Sequence, residues 1–592
     1  SLNVTRRNIR RGEVSWSEAY LNDGNVFNRN NNSVKSDATL LEWNGNFKQQ
    51  LKNVNYSLNS RAYYEHNAAK TELKAVESDD TGESTYSRHK QESVRRNIWG
   101  MSVQCRTYLN FNDNVSAQFR NWNINISGRY NGSALNRQTG DIIIYPRGLS
   151  ANLNQLYNEK LPERSCGLNL EAFSLRLPFG IGERSMCSYN IGYLVGYNHQ
   201  SGKREMEYRH DIPGADDLWL IDLQNSYFTT ENSLSNKLDF SGNIHGPVNV
   251  DLHLTGNFLT RQINDRRIYF QSLHKSNFLL DGVMTLTYGA NAWEDGANYK
   301  LNVSYSEDAP KMLDLLTIAD NSDPLFHTLG NPSLTKSSRY AAEIAFSHNR
   351  TAGKRKIELY AGYSCVDRAV TIARFYNRRT GITTMSPQNI NGNFEVSVNA
   401  DYSRFIGRND CLFLSNTFRG ELLRSADYSS DSENLHVLKV NNWRMIDKIK
   451  VKYMFGKVDL SARIDLDLNR LISLNNVFST FGFMNINYGI SASLPVAWGI
   501  ELQTDLMAYC RRGYEDPAMN STDWVWNLQL SKTFGRSKQF TVKAVGFDLL
   551  GQLPTVKQVV NAQGRTETRY NSQPAYALLT LTYRLDLKPK KK

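Results

Sequence analysis

Along Tyr299-Lys-Leu-Asn-Val-Ser-Tyr305, apolar and polar residues take turns: Leu301, Val303 and Tyr305 fall on one face, Asn302 and Ser304 on the other. A period of two is the mark of a strand with one apolar and one polar side. Phe394, Val396, Val398, Ala400 and Tyr402 alternate in the same way with Glu395, Ser397, Asn399 and Asp401. So do Ala462, Ile464, Leu466 and Leu468 with Arg463, Asp465 and Asp467, and Val248, Val250, Leu252 and Leu254 with Asn249, Asp251, His253 and Thr255. Runs of this kind fall at 1–12, 41–51, 55–66, 100–111, 115–130, 166–178, 186–200, 234–243, 247–260, 279–289, 297–306, 338–348, 355–365, 392–404, 411–422, 448–455, 458–468, 481–492, 499–510, 523–533, 538–548 and 575–586. They predict an all-β chain of twenty-two strands.

The gaps between these runs choose the architecture. Counting back from the C-terminus they go long (549–574), short (534–537), long (511–522), short (493–498), and the alternation continues to residue 13. A β-sandwich has no reason to sort its loops by length. A membrane barrel carries short periplasmic turns at one end and longer extracellular loops at the other. The expectation is therefore a single transmembrane antiparallel β-barrel over 1–586, with a basic tail at 587–592. Its apolar face meets lipid, and Asp251, His253 and Thr255 face the lumen. The loops 67–99, 131–165, 201–233 and 307–337 form its outer surface. Phe179-Gly180, Phe405-Ile-Gly407, Phe455-Gly456, Trp498-Gly499 and Phe534-Gly535 each put an aromatic at a short turn, the arrangement of an aromatic girdle at the periplasmic interface.

Composition fits this picture. Nowhere do eighteen apolar residues run together, so no helix can span a bilayer, and the mean hydropathy is −0.53. A barrel hides its lipid face in every second residue and gives a weak hydropathy signal by construction. The 70 basic residues are interleaved with 58 acidic ones. A net charge of +12 spread in this way points to anionic lipid headgroups or to no specific partner, and not to nucleic acid. The six cysteines and ten histidines are scattered without metal-ligand spacing, and no nucleotide, metalloprotease or hydrolase fingerprint occurs. No metal, cofactor or catalytic residue is expected, and the chain reads as a non-enzyme.

One loop has chemistry of its own. In Gly330-Asn331-Pro332, glycine permits a positive φ, asparagine tolerates it and proline fixes the next φ, so the segment predicts a rigid turn that braces the loop, with a ligand contact as the alternative role. Its surroundings are Tyr305-Ser306, Pro310, Leu313, Leu315-Leu316, Asp323-Pro324 and then Leu334 and Lys336. This pattern resembles the loop signature of TonB-dependent outer-membrane receptor barrels of the Bacteroidetes type. Asp548-Leu-Leu-Gly-Gln552 and Tyr576-Ala-Leu-Leu-Thr-Leu-Thr-Tyr-Arg-Leu585 are similar to that family's last loop and closing strand. Family barrels end on an aromatic residue, whereas this chain runs on to Lys592.

The resemblance implies an outer-membrane importer of a siderophore, cofactor, peptide or glycan. Its partners would be outer-membrane lipid and lipopolysaccharide, a lumen-filling plug domain that engages TonB, and a surface lipoprotein or other outer-membrane subunits. Plug and coupling box are expected upstream of Ser1. The alternative is a structural barrel subunit of a larger outer-membrane complex.

Overall fold

The computed structural model describes residues 2–583 apart from 20–25, 51–53, 111–120, 147–151, 181–185, 211–218, 247, 290–294, 351–353, 378–379, 408, 431–434, 476–479, 515–516, 518–519, 536–537, 553–554, 562–563 and 571–574. The 29 strands among the described residues belong to one sheet. Seven are short pieces inside connections: 220–221, 319–323, 326–329, 369–376, 383–390, 555–561 and 564–570. The other twenty-two form a continuous wall in which each strand pairs antiparallel with the next in sequence. Every predicted run overlaps one wall strand, and positions 115–120 and 584–586 of two of the runs lie outside the described residues. The runs end too early, however, in the N-terminal half.

Val54–Ser78, Ser84–Asn110 and Leu153–Gly180 span 25, 27 and 28 residues, whereas Ile500–Arg512 spans 13 and Phe540–Phe547 spans 8. Crossing a bilayer takes about 9–11 residues, so these N-terminal hairpins stand far above it. Much of the predicted loops 67–99, 131–165 and 201–233 is thus paired strand. Above the lipid band water wets both faces, so the period of two fades while the ladder of backbone hydrogen bonds continues.

The two edges of the wall are tied together by the chain. Gly564–Tyr570 pairs with Glu13–Ala19 of the first wall strand, and Tyr576–Tyr583 pairs with Phe540–Phe547 of the twenty-first. Tyr570 and Tyr576 are six residues apart, a reach of roughly 21 Å at full extension. Twenty strand spacings laid flat would separate these edges by about 95 Å. The sheet is therefore rolled into a barrel. No ladder between Tyr576–Tyr583 and Leu2–Ala19 occurs among the described residues.

Register then assigns the faces. Trp43, Leu41, Tyr64, Met101, Ile126, Leu168, Tyr197, Leu234, Leu254, Phe278, Val303, Ile344, Val398, Trp443, Ile464 and Ile490 all lie on one side of the sheet and are exposed. The opposite side carries Glu395, Ser397, Arg444, Lys450, Arg463, Asp467 and Asp505. Asp447 interrupts the apolar side between Met445 and Ile449, where it accepts a hydrogen bond from Asn416 on the adjacent strand.

Candidate functional site

Two of the long connections, 309–336 and 368–392, fold inward across the mouth at the end of the wall opposite the short turns. The first begins with the short 3-10 turn Leu313–Leu315. Met312, Leu315, Leu316 and Leu334 pack there on Ile263 of the wall, all nearly inaccessible to water. Arg261 donates to the Pro310 carbonyl at 2.8 Å and fixes the entry of the loop. These contacts identify the face that bears Arg261 and Ile263 as interior. The chain then forms a hairpin from Ala319–Asp323 and Phe326–Leu329. Phe326–Thr328 pairs in parallel with Thr383–Met385 of the second connection, where Thr383–Ile390 also pairs with Ala369–Tyr376.

The signature residues stitch the loops together. Gly330 is not in the left-handed region expected of it. Its requirement is space, because a Cβ would lie 1.8 Å from the Leu316 carbonyl oxygen. Asn331 donates through Nδ2 to the Pro387 carbonyl (2.9 Å) and to Gln388 Oε1 (3.0 Å), its backbone N–H donates to Asp314 O (2.6 Å), and its Oδ1 accepts from the Ser333 N–H (3.0 Å). Pro332 follows in the turn, and Leu334 is part of the apolar cluster. Asp323 Oδ1 accepts from the Leu325 N–H at 3.1 Å across Pro324, turning the chain so that Leu325 is fully buried with Tyr86, Ile143 and Tyr145.

Tyr86 and Ile143 belong to the fourth and fifth wall strands, whereas this loop leaves from the eleventh. The cap therefore reaches over the mouth to strands four to seven places away round the wall, and charge holds it there. Arg88, nearly buried, binds Asp141 (Nε–Oδ1 2.9 Å) and Asp323 (Nη2–Oδ2 3.0 Å), with Lys90 Nζ at 3.7 Å from Asp323. Arg204 bridges Glu159 (2.6 Å) and Asp320 (2.9 Å), and Arg137 reaches Glu159 at 2.8 Å. These groups enclose a cavity of about 110 Å³. Asn225 and Asn321 exchange two further hydrogen bonds.

The second connection reaches further. Tyr376 donates its hydroxyl proton to Glu77 on the third strand, and Gly381 lies against the Tyr86 ring. It leaves the wall between the thirteenth and fourteenth strands, nearly opposite on a ring of twenty-two. Burial pushes the Glu77 carboxyl up to about 7 despite the tyrosine hydroxyls of Tyr376 and Tyr86. None of Arg88, Arg137, Asp141, Glu159, Arg204 or Glu77 is identifiable as a site from the sequence. The signal is present only in hindsight of register: Tyr86, Arg88, Lys90 and Glu92 share one phase of a strand that reads as a loop.

The short turns show a different pattern from the cap. Phe455 (69% exposed) and Phe534 point outward, and Phe534 stacks on Phe540 at 5.5 Å between centroids. Trp498 is 84% exposed at φ 60° in its turn. Phe405 has inward phase: its register partner is Phe413, and the two rings pack at 4.8 Å. Phe179 lies on the strand Leu153–Gly180, and its side chain is outside the described residues. Below the cap the lumen wall is polar, with a recess of about 450 Å³ lined by Lys450, Lys452, Asp459, Ser491, Gln503 and Asp505. Among the described residues no cluster of three or more His, Cys, Asp or Glu could hold a metal.

No protein-family model matches the sequence, and no curated protein matches it. Solved structures with a similar chain trace include the alcaligin outer-membrane receptor FauA of Bordetella pertussis (TM-score 0.35, 9% identity, 96% of this chain and 76% of that one). The ferric yersiniabactin uptake receptor FyuA of Yersinia pestis gives 0.38 and 9%, covering 97% and 80%. The siderophore receptor PirA of Acinetobacter baumannii gives 0.37 and 13%, covering 97% and 81%.

Proposed function

We propose that the chain is the barrel of a TonB-dependent importer in the outer membrane, and that the two inward loops gate its mouth against a siderophore, cofactor, peptide or glycan. The observation that carries this reading is the cap itself, anchored on the N-terminal wall strands by ion pairs of the first connection and, near-diametrically, by the Tyr376–Glu77 hydrogen bond of the second. A twenty-two-stranded barrel encloses a lumen that leaks unless it is filled. The polar, mixed-charge lumen wall suits a polar plug domain, through which TonB would act. The apolar outward face suits lipid, and the sorted turns and loops suit one aqueous compartment on each side. The tall N-terminal hairpins offer the surface on which a lipoprotein or another subunit would dock.

The direct test is a planar bilayer containing residues 1–592 and no other protein. The chain by itself should pass ions without concentrating any substrate. Uptake that depends on a proton-motive force and is restored by this polypeptide alone contradicts the proposal. In cells, a deletion that spares uptake but dissolves an outer-membrane assembly would favour the structural-subunit alternative.

A further inference from the structure

On the outward face of the tall side, Arg10, Lys35 and Lys70 stand directly opposite one another on the first three wall strands. All three are exposed. Like charges in this relation repel, and among the described residues none of them makes an ion pair or a side-chain hydrogen bond. The carboxylates on the same face are engaged elsewhere: Asp37 accepts from Asn8 at 2.5 Å, and Glu72 is held by His89 (2.9 Å) and Lys74 (3.3 Å). The row continues across the sheet as Ser93, Gln138 and Asn158, each the register partner of the last. A groove of about 570 Å³ runs along it and is closed by the half-open indole of Trp219. The Arg209 guanidinium lies 5.5 Å from that ring.

The height of this row is informative. The last outward row that is apolar on all four strands is Val4, Leu41, Tyr64 and Trp99, and the cationic row lies six residues further along every one of these strands. Six residues of strand tilted by about 40° rise roughly 15 Å. That places three uncompensated cations, followed by amide and hydroxyl side chains and an indole, at the level of glycolipid headgroups. Basic side chains bind phosphate through charge-assisted hydrogen bonds. The amides and hydroxyls match sugar hydroxyls, and an indole presents an apolar face with a polar edge.

We infer that this row and groove bind the phosphorylated saccharide headgroup of an outer-leaflet glycolipid, with phosphate on Arg10, Lys35 and Lys70 and sugar along Ser93, Gln138 and Asn158 towards Trp219. The inference rests on the outer-membrane reading above. The occupant is argued from charge and from continuity with the lipid face directly below, which keeps such headgroups at high local concentration.

Binding is measured on the detergent-solubilised 592-residue chain with three probes: lipopolysaccharide bearing a phosphorylated core, the same lipopolysaccharide after dephosphorylation, and inorganic phosphate. The phosphorylated form should bind at least tenfold more tightly than either of the others. Arg10→Gln, Lys35→Gln and Lys70→Gln combined should remove that tenfold advantage, and Trp219→Ala should weaken binding severalfold. Heat-modifiable gel mobility verifies that the variants are folded. Lys35→Gln alone, at an exposed position, serves if the triple variant does not fold, with a loss of about threefold. Unchanged binding by a folded variant overturns the inference, as does equal affinity for the dephosphorylated form. Phosphate alone binding as tightly would reduce the row to a simple anion site and also overturns it. The readout is lipid binding in detergent, so its failure leaves the bilayer result untouched, and the converse holds too.

Discussion

At the scale of single residues, the two faces of the wall make opposite demands. Leu254 is 39% exposed on the lipid side, whereas its neighbour Thr255 is buried on the interior side and donates to Asp239 at 2.6 Å. Asp239 and Asp281 both stand opposite Thr255 in register. Leu254→Arg should cost about 2–4 kcal/mol, the range for arginine facing lipid near the midplane. Thr255→Arg should cost much less, because two carboxylates await the guanidinium. Reversible unfolding into a bilayer compares the two.

Glu77 makes the cap sensitive to pH. Its carboxyl titrates near 7 when Tyr376 is docked, above the 4.5 of an open carboxyl. The docked state therefore holds the proton more strongly. Its contribution is fully present below pH 4.5 and is lost as the pH rises through 7. The groups facing this carboxyl are Tyr86 and Tyr376, with Arg88 and Tyr145 charge-coupled to Tyr86. Protease nicking near Thr380 should be faster at pH 8 than at pH 6, and Glu77→Gln should flatten that difference.

At the scale of elements, the cap is held by a few decisive contacts. Arg88→Ala would leave Asp141 buried without its partner and Asp323, which is partly exposed, with Lys90 alone, a loss of about 3–5 kcal/mol for the buried Arg88–Asp141 pair. Hydrogen exchange should then quicken across 319–329 while the wall strands at 393–406 and 458–473 keep their protection. Gly330→Ala forces the Leu316 carbonyl to move and should cost about 1–3 kcal/mol, read as faster exchange across 313–335.

The sequence foretold the wall strands better than their length. Residues 248–260 alternate because one face meets lipid, and that contrast is written in side chains. Residues 67–78 form strand as well, but Glu72 and Lys74 have water outside them, and nothing in composition separates such a ladder from a loop. Phe405 and Phe534 both precede short turns. Only cross-strand register shows that one faces inward and the other outward. The longest cap contacts join residues more than two hundred positions apart, such as Arg88 and Asp323 or Glu77 and Tyr376, and no local pattern encodes that.

At the scale of the whole molecule, one claim supports the rest: twenty-two strands are rolled into a barrel whose outward face lies in lipid. The wall is tall where the cap docks and low where the chain ends, so the mouth is asymmetric, with its anchoring surface on the N-terminal side. The glycolipid row, the cap and the lumen recess all take their meaning from that enclosure.

Spin labels placed one at a time along 394–402, with the chain reconstituted in lipid, test this claim most directly. Labels at 394, 396, 398, 400 and 402 should collide with lipid-soluble oxygen. Those at 395, 397, 399 and 401 should collide with a water-soluble nickel chelate, giving two accessibility curves of period two and opposite phase. Curves in phase, or chelate access at every position, would contradict a lipid-embedded barrel.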